Sequence, residues 1–258
     1  MTAPLLACSG LTVRFGGLTA LDGLDIAVDR GTTIGLVGPN GSGKTTFFNV
    51  LTGLYRPSAG KAALAEADIF AKSPQAIGRA GVARTFQRCR LMLDQSVFDN
   101  IALGALRHQD LGLAAIFRRR RLRAEIDALV ERVRSIAARF NPAIAAALFE
   151  PAGRFTMIDR RRIEICRALI ANPRLLLLDE PSAGMTPEET RRLMDDLLDF
   201  RRESPDLALI LVEHEMDVIR RVSDRCVVLN FGRKIFEGSF EALIEDRDVQ
   251  TAYLGSGH

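Results

Sequence analysis

"GPNGSGKTT" occupies Gly38–Thr46, and its reading decides the fold. The stretch matches G-x-x-x-x-G-K-[ST]. It follows directly on the apolar run Thr33–Val37 and leads into a helical run, "TTFFNVLTGL". Strand, glycine-rich turn and helix, in that order, are the setting in which a loop closes around phosphate. Gly38, Gly41 and Gly43 let backbone N–H groups crowd an anion without side-chain clash. The helix that follows points its positive end at the same anion. Lys44 is placed to reach the β- and γ-phosphates, and Thr45 to offer its hydroxyl to Mg²⁺.

Working outward, "LLLLDEP" (Leu175–Pro181) reads as a buried parallel strand ending in two acids. Asp179 is placed to hold magnesium, directly or through water. Glu180 beside it can orient and deprotonate an attacking water. Read alone, these would be two solvated acids at a strand end; a phosphate loop in the same chain gives them a metal and a nucleophile to serve. In "LILVEHEMDVI", His214 stands just past a third apolar strand, where an imidazole can hydrogen-bond a γ-phosphate oxygen or the attacking water. Gln87, in "ARTFQRCR", follows a strand-like run and could ligate magnesium and report nucleotide state.

Short aliphatic runs at Thr33–Val37, Leu175–Leu178, Leu207–Val212 and Val227–Leu229 alternate with helical patterns. That alternation predicts an α/β domain with a largely parallel sheet. Leu122, Ile126, Leu129, Val130, Val133, Ile136, Ala137 and Phe140 recur at helical spacing. "TPEETRRLMDDLLDF" has Thr186 as N-cap, Pro187 at the first helical position and Glu189 completing a capping box. The stretch 91–171 is helix-rich and basic, and reads as a helical subdomain inserted between 1–90 and 172–258 of a single domain. Its run Arg118–Arg121 is read as a solvated turn or helix end, with acidic lipid headgroups or an acidic partner loop as the other option.

The composition limits the partners. A formal charge of +3 on 258 residues gives no basis for wholesale nucleic-acid binding. The four cysteines, Cys8, Cys89, Cys166 and Cys226, form no C-x-x-C pair, so neither zinc nor a disulfide framework is indicated. No apolar run approaches the ~18 residues of a membrane span. "MTAPLLACSG" faintly resembles a lipoprotein cleavage box but lacks a basic n-region and a long apolar h-region, so a first β-strand is the expectation there. If the protein works at a membrane, another chain is expected to hold it there.

The order of these motifs resembles the ATP-binding cassette (ABC) transporter ATPases over essentially the whole chain: phosphate loop, "RTFQ", helical region, "RRIEICRALIANPRLLLLDEP", "SAGMTPEE", "VEHEMDVI". "RFGGLTALDGL", "GVARTFQRCRL", "AGMTPEET" and the ending "GRKIFEGSF…AYLG" look most like the ATP-binding subunits of branched-chain amino acid importers. The resemblance implies a P-loop (RecA-like) core with an N-terminal antiparallel β portion and the helical insertion. It implies ATP and Mg²⁺ as ligands. Phe15 would stack on adenine. Gly38, Pro39, Asn40, Gly41, Ser42, Gly43, Lys44, Thr45 and Thr46 would form the Walker A loop, and Leu175–Asp179 Walker B. Gln87 would be the Q-loop residue, Glu180 the catalytic base and His214 the switch histidine. Ala183–Thr186 would be the D-loop at a dimer interface. Magnesium would be met by Thr45, Gln87 and Asp179. The implied setting is cytoplasmic, on the inner face of the cell membrane, with integral permease subunits and, indirectly, a solute-binding protein, and no nucleic acid. The cargo would be branched-chain amino acids or a related small polar solute. A regulatory subunit with little hydrolysis, and a cassette ATPase not coupled to transport, are the alternatives.

One motif departs from the pattern. Where the family has Leu-Ser-Gly-Gly-Gln or Leu-Ser-Tyr-Gly-Gln, this chain has Phe155, Thr156, Met157, Ile158 and Asp159. Ile158 is β-branched where glycine would let the backbone approach the γ-phosphate on a partner subunit. Asp159 brings negative charge toward an anion. The same residues also read as an ordinary helix start, with Thr156 as N-cap and an acid in the first turn. A degenerate signature predicts a heterodimer with a paralogous subunit in preference to a homodimer.

Overall fold

The computed structural model describes residues 3–108 and 119–254. The strands are β1 (Leu6–Phe15), β2 (Leu18–Val28), β3 (Thr33–Val37), β4 (Ala59–Leu64), β5 (Ala67–Asp68), β6 (Val82–Arg84), β7 (Leu175–Asp179), β8 (Ala208–Val212), β9 (Arg225–Asn230) and β10 (Arg233–Gly238). The α-helices are α1 (Lys44–Leu51), α2 (Pro74–Ala80), α3 (Val97–Ala102), α4 (Arg119–Phe140), α5 (Pro142–Ala146), α6 (Met157–Leu169), α7 (Pro187–Arg202), α8 (Met216–Val222), α9 (Phe240–Glu245) and α10 (Arg247–Leu254).

Two sheets result. One runs β2-β1-β4-β5 and is antiparallel throughout. The β1–β2 hairpin closes at Gly16, whose φ of +57° suits the short loop "GG". The other runs β10-β9-β3-β8-β7-β6, parallel except for β10 at its edge. The expected α/β class and antiparallel N-terminal portion are therefore present, and the first residues enter β1, with Cys8 buried, as the strand reading expected.

The parallel strands are apolar on both faces because both faces are covered. Leu175 and Leu177 pack with Ile34, Leu36, Ile210 and Val212 on the side of α1 and the antiparallel sheet. Leu176 and Leu178 pack with Leu209 and Leu211 on the other side, with α4, α6, α7 and α8. The side-chain period of two thus splits one strand between two cores. Among the described residues, the chain between β6 and β7 contributes helices and one isolated bridge, Ser96 to Pro151. Of the apolar stripe read over 122–140, Val133, Ile136, Ala137 and Phe140 are buried, Leu129 and Val130 half-buried, and Ile126 is exposed; the side chain of Leu122 lies outside the described residues. Arg118, and the side chains of Arg119–Arg121, lie outside the described residues.

Helix boundaries follow local chemistry. α7 starts with the full capping box: Thr186 Oγ1 accepts from Glu189 N, and Glu189 Oε2 accepts from Thr186 N. α6 starts on Thr156, whose Oγ1 accepts from Asp159 N. α2 ends on Gly81 at φ +110°, which no side chain adopts readily.

Candidate functional site

β3 delivers the chain into the loop, and α1 carries it away. Gly38 and Gly43 prove necessary for a reason closer to home than phosphate. A Cβ on Gly38 would stand 2.1 Å from the carbonyl oxygen of Leu229, and one on Gly43 2.9 Å from that of Ala20. Both are fixed by strands packed behind the loop; Gly41, at φ +78° with nothing near its missing Cβ, is the one that serves the turn alone. α1 begins at Gly43 with no side-chain cap. Its first-turn N–H groups therefore have neither an intrahelical nor a side-chain partner of their own, which suits an anion.

Lys44 folds back into the loop. Its ammonium donates to the carbonyl oxygens of Gly38 at 2.6 Å and Pro39 at 3.0 Å. Burial pulls its pKa below the ordinary lysine value, while the charges of Glu180 and Asp179 push it the other way. A cleft of about 330 Å³ runs from this loop past Thr45, Thr46 and Glu180 to Phe15. Phe15 is 46% exposed and meets Tyr55 edge-on, ring centroids 5.1 Å apart.

The residues singled out far apart in sequence meet at the mouth of this cleft. Gln87 Nε2 donates to Glu180 Oε2 at 2.6 Å, and His214 Nε2 lies 2.8 Å from Glu180 Oε1. Glu180 sits at φ +46°, a left-handed backbone for a residue with a side chain, held by its N–H on the carbonyl of Val212. Asp179, buried at the end of β7, is ion-paired with Arg84 at 2.6 Å.

This donor set fits magnesium. Thr45 supplies a hydroxyl and Asp179 a hard carboxylate oxygen, and among the described residues no cluster of three or more acids, histidines or cysteines forms a cage. Magnesium that arrives with nucleotide takes most of its ligands from phosphate and water and asks few of the protein.

The family model described as "ABC transporter" matches residues 21–183. The chain belongs to that family, as an ATP-binding subunit. It is 36% identical over 258 residues, covering 99% of each chain, to the high-affinity branched-chain amino acid transport ATP-binding protein BraF of Pseudomonas aeruginosa. It is 35% identical over 260 residues, again 99% of each, to the corresponding protein LivG of Escherichia coli. Among solved structures, the ADP conformation of an ATP-binding cassette of an ABC transporter superposes with a TM-score of 0.85 at 27% identity, over 99% of this chain and 100% of that one. As an ABC-type ATPase the chain is an enzyme, and no helix among the described residues is long and apolar enough to cross a membrane.

At the start of α6 the side chain of Ile158 is buried, and that of Met157 is 58% accessible, with its sulfur near Gly184. The charge of Asp159 is partnered. Its carboxylate accepts from Asn141 Nδ2, Thr156 Oγ1 and Arg162 Nη1, all at 2.9–3.0 Å. An acid so partnered repels an anion less than a bare one.

Four further polar residues shape the site. Arg84 and Asn49 are bonded to each other beside Asp179. Arg161 donates to the carbonyl oxygens of Phe86 at 2.7 Å and Gln87 at 2.8 Å, fastening the Q-loop backbone to α6. Glu213 accepts from Ser182 N and Oγ, anchoring the turn after Glu180; burial raises its pKa against these bonds. Arg161 was legible in part: it falls three residues after Ile158 and four before Ile165, on the buried face of α6.

Proposed function

We propose that the chain hydrolyses ATP with Glu180 as general base and couples the reaction to import of branched-chain amino acids or a related small polar solute. The observation that carries this reading is the Gln87–Glu180–His214 cluster beside the phosphate loop. Phe15 receives adenine, and Gly38–Thr46 with Lys44 hold the phosphates. Thr45, Asp179 and Gln87 would hold the metal, which when bound would supply neutralising charge on the phosphates. In the present arrangement both oxygens of Glu180 are engaged. Each oxygen keeps a further lone pair for a proton from water, and release of Gln87 would bare Oε2 to it. Gln87 sits on the segment tied to α6, so motion of the helical region is the natural way to release it.

The cargo follows from likeness to BraF and LivG, whose names specify branched-chain amino acid transport. A cleft of about 430 Å³ between Thr52, Ile77, Arg84, Phe86, Leu103 and Arg167 joins the Q-loop to the helices, and suits a permease segment on the inner face of the membrane. Ile158 and Asp159, in place of the family's Gly-Gln at the start of α6, support pairing with a paralogous ATPase subunit that supplies a complete signature. The test is Glu180→Gln in the assembled transporter: hydrolysis falls by roughly 100-fold or more if the carboxylate is the base. Unchanged turnover places the active site elsewhere.

A further inference from the structure

We infer that Arg84 is a positioning residue that fixes the Asp179 carboxylate toward magnesium. The inference rests on the role proposed for Asp179 and adds the group that orients it. Arg84 ends β6 and is paired in parallel register with Leu177 of β7. Asp179 lies two residues further along the same strand, so both side chains project to the face covered by α1. There the guanidinium spans two elements. Nη2 donates to Asp179 Oδ2 at 2.6 Å, and Nη1 donates to Asn49 Oδ1 at 2.7 Å.

Nothing about this arginine suggests a loosely held surface charge. The side chains of Arg84 and Asp179 are 5% and 8% exposed. The guanidinium carbon lies 5.3 Å from the ring centre of Phe48 and 5.0 Å from that of Phe86. Asn49 is one helical turn beyond Thr45 on α1. Arg84 therefore ties the helix bearing the metal's hydroxyl to the strand bearing its carboxylate. It engages one of the two carboxylate oxygens, Oδ2. A buried carboxylate without this partner would be costly and would turn toward another cation; Lys44, whose charge interacts with Asp179, is the near one. The planar fork matters, because an ammonium does not offer two donors in fixed directions.

The experiment measures how a fluorescent ATP analogue binds the purified full chain as magnesium is titrated, and in EDTA. Arg84→Met keeps the side chain's length and its packing between Phe48 and Phe86. It is expected to raise the magnesium concentration for half-saturation about tenfold, the scale of one hydrogen bond to a charged group. Binding in EDTA stays unchanged. Asn49→Ala, which loosens Arg84 without removing it, shifts the same value in the same direction by less. In an Asp179→Asn background, Arg84→Met adds nothing.

An unchanged or lowered half-saturation value in Arg84→Met overturns the inference, as does equal loss of binding in EDTA or full additivity with Asp179→Asn. If Asp179→Asn itself leaves the magnesium dependence of the wild type, the site reading falls and takes this inference with it. If Asp179→Asn shifts it and Arg84→Met and Asn49→Ala do not, only the inference falls.

Discussion

The starts of α1 and α6 pose the same physical problem: first-turn N–H groups with no partner inside the helix. α1 begins on Gly43, at φ +110° and without a side-chain cap, and its lysine lies folded over the loop carbonyls. α6 begins on Thr156, which caps its own helix, with Asp159 bound to Asn141, Thr156 and Arg162. The first start is left open for an anion from solution. The second satisfies itself with residues of its own chain. The two starts therefore differ in what they leave open to an anion, and that difference underlies the unequal roles proposed for them.

The sharpest way to break the comparison is at the open end. Lys44→Ala should weaken ATP binding by roughly 10- to 100-fold, the range for losing a hydrogen bond from a charged donor. Fluorescence titration of the isolated chain reads it directly, and near-wild-type affinity would mean the loop is not the main phosphate site. A change at the closed end sharpens the contrast in the other direction. The combined replacement Met157→Gly, Ile158→Gly and Asp159→Gln is expected to raise ATPase turnover of the isolated chain by about tenfold, or about 1.4 kcal/mol of barrier. Burying Ile158 contributes to the core, so the comparison is made at matched folded fraction; no gain would show that the signature does not limit turnover.

The smallest effect concerns the caps. Thr156→Ala and Thr186→Ala should each cost about 1 kcal/mol, a fall of roughly 2–4 °C in Tm for a chain of this size. Thr186→Ala should also alter the acid side of the stability profile, in the part carried by its hydroxyl, since the backbone N–H bond to Glu189 remains. Hydrogen bonds from Thr186 hold the Glu189 carboxyl below its ordinary pKa. That stabilisation is fully present above the ordinary glutamate value, about 4.3, and is lost as pH falls through the lower folded value. Thermal melts of wild type and both variants between neutral and strongly acidic pH separate the cases.

How much of this was legible depended on whether the signal was local. The phosphate loop, β7 with its two acids, and the capping box of α7 each reside in a few consecutive residues, and each lies where its pattern placed it. The helix start at Thr156 was equally local. What Ile158 and Asp159 do there was not, because burial of one and neutralisation of the other depend on Asn141 and the packing under α6. Arg84 looked like one more basic residue in "VARTFQ"; only the pairing of β6 with β7 and the position of α1 make it a buried clamp. The short strand β5 and the antiparallel edge strand β10 had too little length or periodicity to announce themselves.

Local spacing carries the cassette: its class, the phosphate loop and the acids and histidine around it. These follow from spacing along the backbone, since strand, turn and helix fix where neighbouring residues point. Which groups meet across the chain emerges from the packed fold: Gln87 and His214 on Glu180, Arg84 on Asp179, Arg161 on the Q-loop. The reason is that charge and hydrogen bonding act over a few ångströms of space, whatever the separation along the chain.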